Sequence, residues 1–214
     1  MNSILNLLLT ALAVVPAMCI HEYAHGWVSY KLGDPSPKYD GRLSLNPLRH
    51  VDPIGALCLI LLNFGWAKPV QVNPAYYKDP KKGMALVALA GPVANFILAL
   101  LCLIVTNAIE KITGGQVTMT VFYVYQFFML SAMVNVGLGV FNLIPLPPLD
   151  GSKVIGVFLP TEWYFKFLRF EQYGFILLFL LLAVGALNTP LFWLRNGMVD
   201  YLNFLANAVT GFLA

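Results

Sequence analysis

At 214 residues the chain has room for one membrane domain and little else, and 59% of it is hydrophobic against 11% charged. An average soluble domain is far more charged, and one of this length could not hide so much apolar surface from water, so a bilayer must be part of its solvent. The formal net charge of +3 is small and its basic residues are spread through loops, so it says little about nucleic acid, and no nucleic-acid partner is expected.

The first predicted element is a helix from about Ser3 to Leu32, apolar through Ile20 and then abruptly polar at His21-Glu22-Tyr23-Ala24-His25. At ~1.5 Å per residue, Ile4 to Lys31 covers about 40 Å, enough to cross the hydrocarbon core with a turn or two beyond it. The run lacks a basic n-region and continues into ionisable residues, so it reads as a retained helix and not as a signal peptide. Residues 33–53 form a Gly- and Pro-rich loop with a short hairpin expected around Asp40-Gly41. The apolar run Ile54–Trp66 has only 13 residues and reads as a re-entrant or membrane-edge segment, against which an unwound substrate strand could pair. A second basic, Pro-broken loop follows over Ala67–Lys82.

Gly83 to about Ala108 is a strong second span carrying AGPVAN, in which Gly91 and Ala94 permit close helix contact and Pro92 frees a backbone carbonyl. Val121 to about Leu143 is a third, and it ends in FNLIPLPPLDGSK, where three prolines forbid regular helix. A further span is expected over Gly174–Leu187, after the amphipathic stretch Thr161–Gln172. The tail from Pro190 is interrupted by Arg195 and Asp200 and either spans or lies at the interface. Cys19, Cys58 and Cys102 fall in apolar runs without ligand spacing and read as buried thiols. The fold class is therefore an all-α membrane protein: a polytopic transmembrane helix bundle with a short re-entrant or membrane-edge segment, forming one domain over residues 1–214. Of thirteen Lys and Arg residues, Lys31, Lys38, Arg42, Arg49, Lys68, Lys78, Lys81 and Lys82 fall in one stretch, which should face the cytoplasm.

The polar end of the first helix carries the chemistry. On a helix, residues four apart share a face, so His21 and His25 can meet one ion. Glu22 lies beside that ion and can take a proton from bound water, which is the H-E-x-x-H arrangement of zinc metalloproteases. Zinc brings the pKa of such a water from 15.7 towards ~7. Ionisable residues in a membrane helix are costly and mark function, although histidines satisfying one another in a packed bundle, or a proton relay, would also place them there. Catalytic zinc takes three protein ligands and keeps one position open. His50 and Asp150 are the candidates for the third. Asp150 is preferred, because it follows a span running towards the same end as His21 and His25, whereas His50 sits in a basic loop.

HEYAH, LNPLRHVDPIG, FGWAKPVQVNP, AGPVAN and FNLIPLPPLDG occur in this order over roughly Val14 to Gly151. In these motifs the chain resembles the site-2 protease family of intramembrane zinc metalloproteases, in its compact prokaryotic form. The resemblance implies one zinc ion completed by Asp150, and an oxyanion-stabilising role for Asn142, whose alternative is to cap carbonyls at a broken helix end. Asn95 reads first as a helix–helix hydrogen-bonding residue, with substrate handling as the alternative. No stretch is long enough for the PDZ or CBS domain that many members carry. The implied activity is hydrolysis of peptide bonds in or near transmembrane segments of other proteins, in a prokaryotic cell membrane with the site towards the cytoplasm. The expected partners are such a protein or peptide substrate and membrane lipids. Oligomeric state is left open. A metal or proton-coupled transporter is the alternative, but would need ionisable residues along several spans.

Overall fold

A computed structural model describes residues 3–52, 55, 68–114, 116, 118–160 and 173–213. Among these there is no β-sheet, and the architecture is set by helices: α1 (Ser3–Lys31), α2 (Ser36–Tyr39), α3 (Pro80–Thr113), α4 (Met119–Asn142), α5 (Asp150–Gly156), α6 (Tyr173–Ala183) and α7 (Asn188–Thr210). Three of them, α1, α3 and α4, are long and apolar enough to cross a membrane, and α6 with α7 makes a fourth if the pair is one broken span. The expected third span is a continuous α4, and the expected span Gly174–Leu187 corresponds to the shorter α6, bent by 88° from α7. The apolar run 54–66, apart from Gly55, and the amphipathic stretch 161–172 lie outside the described residues.

Local chemistry explains the helix ends. Asp79 caps α3 by accepting from Lys82 N at 3.1 Å, and Pro80 occupies a first-turn position where its missing N–H costs nothing. Gly114 closes α3 in the left-handed conformation at φ 57°. Thr118 caps α4. Around Asp40-Gly41 the expected hairpin is absent. Pro35 and Pro37 instead favour one helical turn, α2, which Gly41 ends at φ 65° with Arg42 N donating to Pro37 O.

Hydrogen bonds fix the helix directions. Contacts of Ala17 with Asn95 and of His25 with Val87 make α1 and α3 antiparallel. Those of Asn95 with Asn135 and Glu110 with Tyr125 do the same for α3 and α4. Asn107 with Asn203 and Lys111 with Thr210 place α7 parallel to α3. The C-terminal helix, which its sequence left as spanning or interfacial, therefore runs alongside a membrane helix over most of its length. Their shared core is Ala99, Cys102 and Leu103 of α3, Ala132, Val136 and Val140 of α4, and Leu202 and Ala206 of α7. Small residues recur because lipid gives helices no hydrophobic reason to associate, leaving close backbone approach as a main source of attraction.

At the basic end a polar cluster ties the loops to α1. Asp34, fully buried, accepts from Ser29 Oγ at 2.8 Å, Ser36 N at 2.9 Å and Asn73 N at 2.7 Å. The Ser29 proton is committed to Asp34, so the Tyr77 hydroxyl donates to Ser29 Oγ, at 2.7 Å. The Tyr77 ring lies against Gly83, where any Cβ would overlap it. Burial pushes the Asp34 carboxyl up, but hydrogen bonds from Ser36, Asn73 and Ser29 outweigh it and hold the group below the usual carboxylate range. A depressed folded value stabilises the fold above the unfolded pKa of ~3.9, and that increment fades as pH falls through the lower, folded value. Asp34→Asn should therefore cost about 1–3 kcal/mol at neutral pH by denaturant unfolding in detergent, and the gap to wild type should narrow below pH ~4. A gap that does not change with pH would show that the carboxylate charge is not what the cluster uses.

Candidate metal centre

His21 and His25 lie one turn apart on the face of α1 that meets α3, with ring centroids 4.6 Å apart. Asp150 is the first residue of α5, presented by the Pro-rich break after α4. Gly151 makes this approach possible, because a Cβ there would run into the Leu143 carbonyl at the end of α4. The result is that Asp150 Oδ2 lies 3.1 Å from His21 Nε2 and 3.1 Å from His25 Nε2. All three side chains are nearly sealed from solvent, with residue exposures of 5%, 9% and 9% for His21, His25 and Asp150.

These residues fit a zinc ion. At zinc–nitrogen and zinc–oxygen distances of ~2.0 Å, a tetrahedral centre sets its ligand atoms about 3.3 Å apart, close to the separations seen here. His25 Nδ1 donates to Val87 O at 2.7 Å, because a carbonyl can only accept, and this leaves Nε2, which faces Asp150, as the nitrogen that would bind the ion. The Pro92 ring, by contrast, frees the carbonyl four residues back, that of Ala88; His25 takes the neighbouring one. His21 Nδ1 is 2.6 Å from Asn95 Oδ1. Space for both rings comes from Gly91, where a Cβ would stand 2.6 Å from Nε2 of each. Three protein ligands leave a fourth position open.

Glu22 follows His21 on α1, and its Oε2 accepts from Val70 N at 3.0 Å. The extended segment 68–73 thus passes alongside the general-base candidate. His50 stands apart from the cluster: Nε2 donates to Ser44 O at 2.6 Å, and the buried Nδ1 has no partner among the described residues. Asn142 Nδ2 donates to Leu138 O at 3.0 Å, back onto its own helix, and makes no hydrogen bond to His21, His25 or Asp150. Asn95 does more than its sequence suggested. It bridges helices, and one of its partners is a metal-ligand candidate. Sequence reasoning missed the roles of Gly91 and Val70. The first is visible in AGPVAN as a small residue one turn before Asn95, but was assigned to helix packing; main-chain donors such as Val70 N leave no trace in residue type.

Gly91→Ala should lower zinc affinity at least about tenfold in chelator competition while leaving helix content by circular dichroism unchanged, because the added methyl competes with both rings for one space. Unaltered affinity would mean that the two imidazoles do not share this site when the ion is bound.

The profile of Peptidase family M50 matches residues 9–184. The chain is 38% identical to YwhC of Bacillus subtilis over 187 residues, 85% of this chain and 83% of that protein. It is 30% identical to Rip2 of Mycolicibacterium smegmatis over 191 residues, 86% of this chain and 70% of the relative. With Rip2 of Mycobacterium tuberculosis strain H37Rv it shares 28% identity over 178 residues, 80% of this chain and 65% of the relative. All three are named as candidate zinc metalloproteases. No solved structure gives a significant match. The matched region contains every residue of the His21, His25 and Asp150 cluster, and the chain belongs to peptidase family M50, the site-2 protease family.

Proposed function

We propose that this chain is an intramembrane zinc metalloendopeptidase, with His21, His25 and Asp150 as ligands of one zinc ion and Glu22 as general base. The observation that carries the reading is the convergence of two imidazoles and one carboxylate, 3.1 Å apart, between helices apolar enough to cross a membrane. Unpaired, such groups would be expensive in that setting, and pairing them around a divalent ion is the arrangement that accounts for all three. Among the described residues this is the one such group of ligands, whereas a transporter would place ionisable residues along several spans.

When bound, zinc supplies polarisation of the scissile carbonyl and a water acidic enough to be deprotonated at neutral pH. The chain supplies the rest. Glu22 takes the proton from the attacking water and delivers it to the leaving amine. The Val70 N–H fixes one carboxylate oxygen of Glu22, which leaves the other for the water. Asn142 stabilises the developing oxyanion. Its NH2 group donates one proton to Leu138 O, a carbonyl one turn back on α4, and has a second to offer. The substrate is a membrane protein or peptide unwound near the cleavage point, since a helix hides its carbonyls. The site faces the cytoplasm in this reading, supported by Lys31, Lys78, Lys81 and Lys82 lying at the end of the bundle to which α1 descends. Regulated intramembrane proteolysis is the corresponding role.

Glu22→Gln should retain about one zinc per chain and lose cleavage of a transmembrane-helix substrate by about 100-fold or more, because the amide cannot accept the water proton. His21→Ala should lose the metal itself. A Glu22→Gln protein that cleaves at the wild-type rate removes Glu22 from the mechanism, and a wild type without metal removes the reading as a whole. Asn142→Ala should lower kcat about 100-fold with zinc content unchanged, as expected for a transition-state donor. An unchanged kcat would leave Asn142 as a helix-end cap.

A further inference from the structure

The two histidines are held from behind in different ways. His25 leans on a main-chain carbonyl, that of Val87, which no side-chain substitution removes. His21 leans on a side-chain amide, and an amide can present either its oxygen or its NH2 group. What decides the face presented lies further out. Asn135 Nδ2 donates to Ser131 O at 2.8 Å, and a carbonyl only accepts, so the NH2 of Asn135 is committed there and its Oδ1 points at Asn95. Asn95 Nδ2 accordingly donates to Asn135 Oδ1 at 2.7 Å, and also to Ala17 O at 3.1 Å, a second acceptor-only group. Both of its protons are spent. Asn95 Oδ1 is left facing His21 Nδ1 at 2.6 Å, so Nδ1 must carry a hydrogen, which leaves Nε2 as the nitrogen available to a metal.

We propose that Asn95 and Asn135 form a polarity relay that sets the tautomer and ring angle of His21, making both of them positioning residues for the metal although Asn135 never touches a ligand. The inference rests on the zinc reading of the site. Its physical basis is that both asparagines are buried, at 0% and 1% exposure, so neither has water to fall back on. The direction of every hydrogen bond in the chain is then dictated by the main-chain acceptors Ser131 O and Ala17 O. Ligand histidines held through their second nitrogen lose about 10–100-fold in metal affinity when that partner is removed.

The test compares wild type with Asn95→Ala, Asn95→Asp and Asn135→Ala, purified in detergent. It measures zinc affinity by chelator competition and the visible spectrum of the cobalt-loaded protein. Asn95→Ala should weaken zinc about 10–100-fold, and Asn135→Ala about threefold or more, each with an altered cobalt spectrum. Asn95→Asp keeps an acceptor for Nδ1–H but loses the donors to Asn135 Oδ1 and Ala17 O, so it should fall between wild type and Asn95→Ala. Lost packing alone would lower the unfolding temperature of all three without moving the spectrum. If Asn95→Ala does not fold, Asn135→Ala and Asn95→Asp carry the comparison. The relay is overturned if Asn135→Ala or Asn95→Ala binds zinc as wild type does with an unaltered cobalt spectrum. A wild type that binds neither zinc nor cobalt sinks the metalloprotease reading and the relay with it, whereas unaltered variants of a zinc-binding wild type sink the relay alone.

Discussion

A buried carboxylate facing two imidazoles is the constraint to which the rest of the molecule answers. Asp150, His21 and His25 come from opposite ends of the matched sequence, and each must be brought out of water at a cost of several kcal/mol unless the others compensate. Bringing them together requires α1 to carry its polar turn inside the bundle, α4 to stop short, and α5 to begin against the stump of α4. Two glycines meet these demands at two different surfaces. Gly91 clears room for rings, and Gly151 lets backbone meet backbone.

Around this centre the bundle holds itself together with means suited to lipid. Its core is rich in alanine, and buried asparagines link α1 to α3, α3 to α4 and α3 to α7. Apolar side chains such as Leu101, Phe175 and Phe204 point outward, which in water would be a fault and in a bilayer is the solvated state. Polar contacts close the bundle at both ends: near the ligands His21 meets Asn95 and His25 meets Val87 O, and at the far end Tyr125 meets Glu110 and Lys111 meets Thr210 O.

Much of this was legible in the chain. Composition alone required a membrane, and the three long apolar runs became α1, α3 and α4 with shifts of a few residues at their ends. HEYAH was readable because helical periodicity converts a spacing of four into one face. Asp150 was readable by depth, from the direction of the span before it. What periodicity does not carry is anything supplied by main chain or by the absence of a side chain. The Val87 carbonyl behind His25, the Val70 amide on Glu22 and the cleared volume at Gly91 all belong to that class. The expected hairpin at Asp40-Gly41 failed for a related reason: Asp-Gly suits a turn of either kind, and the prolines at 35 and 37 decided for a helical one. The bend between α6 and α7 was not foreseen, since Gly185, in the left-handed conformation at φ 73°, lies inside an otherwise apolar run.

The segment 68–73 has a mechanical consequence. Its Val70 amide is fastened to Glu22, within α1, and its Asn73 amide to Asp34, just beyond the end of α1. Both anchor points therefore belong to the same stretch of chain, three residues apart on the segment and twelve apart on α1 and its extension. The segment is thus fastened to α1 and its extension at two points, while α1 is itself fastened to α3 through Ala17, His21 and His25. The base, its main-chain partner and the two imidazoles therefore share one connected frame.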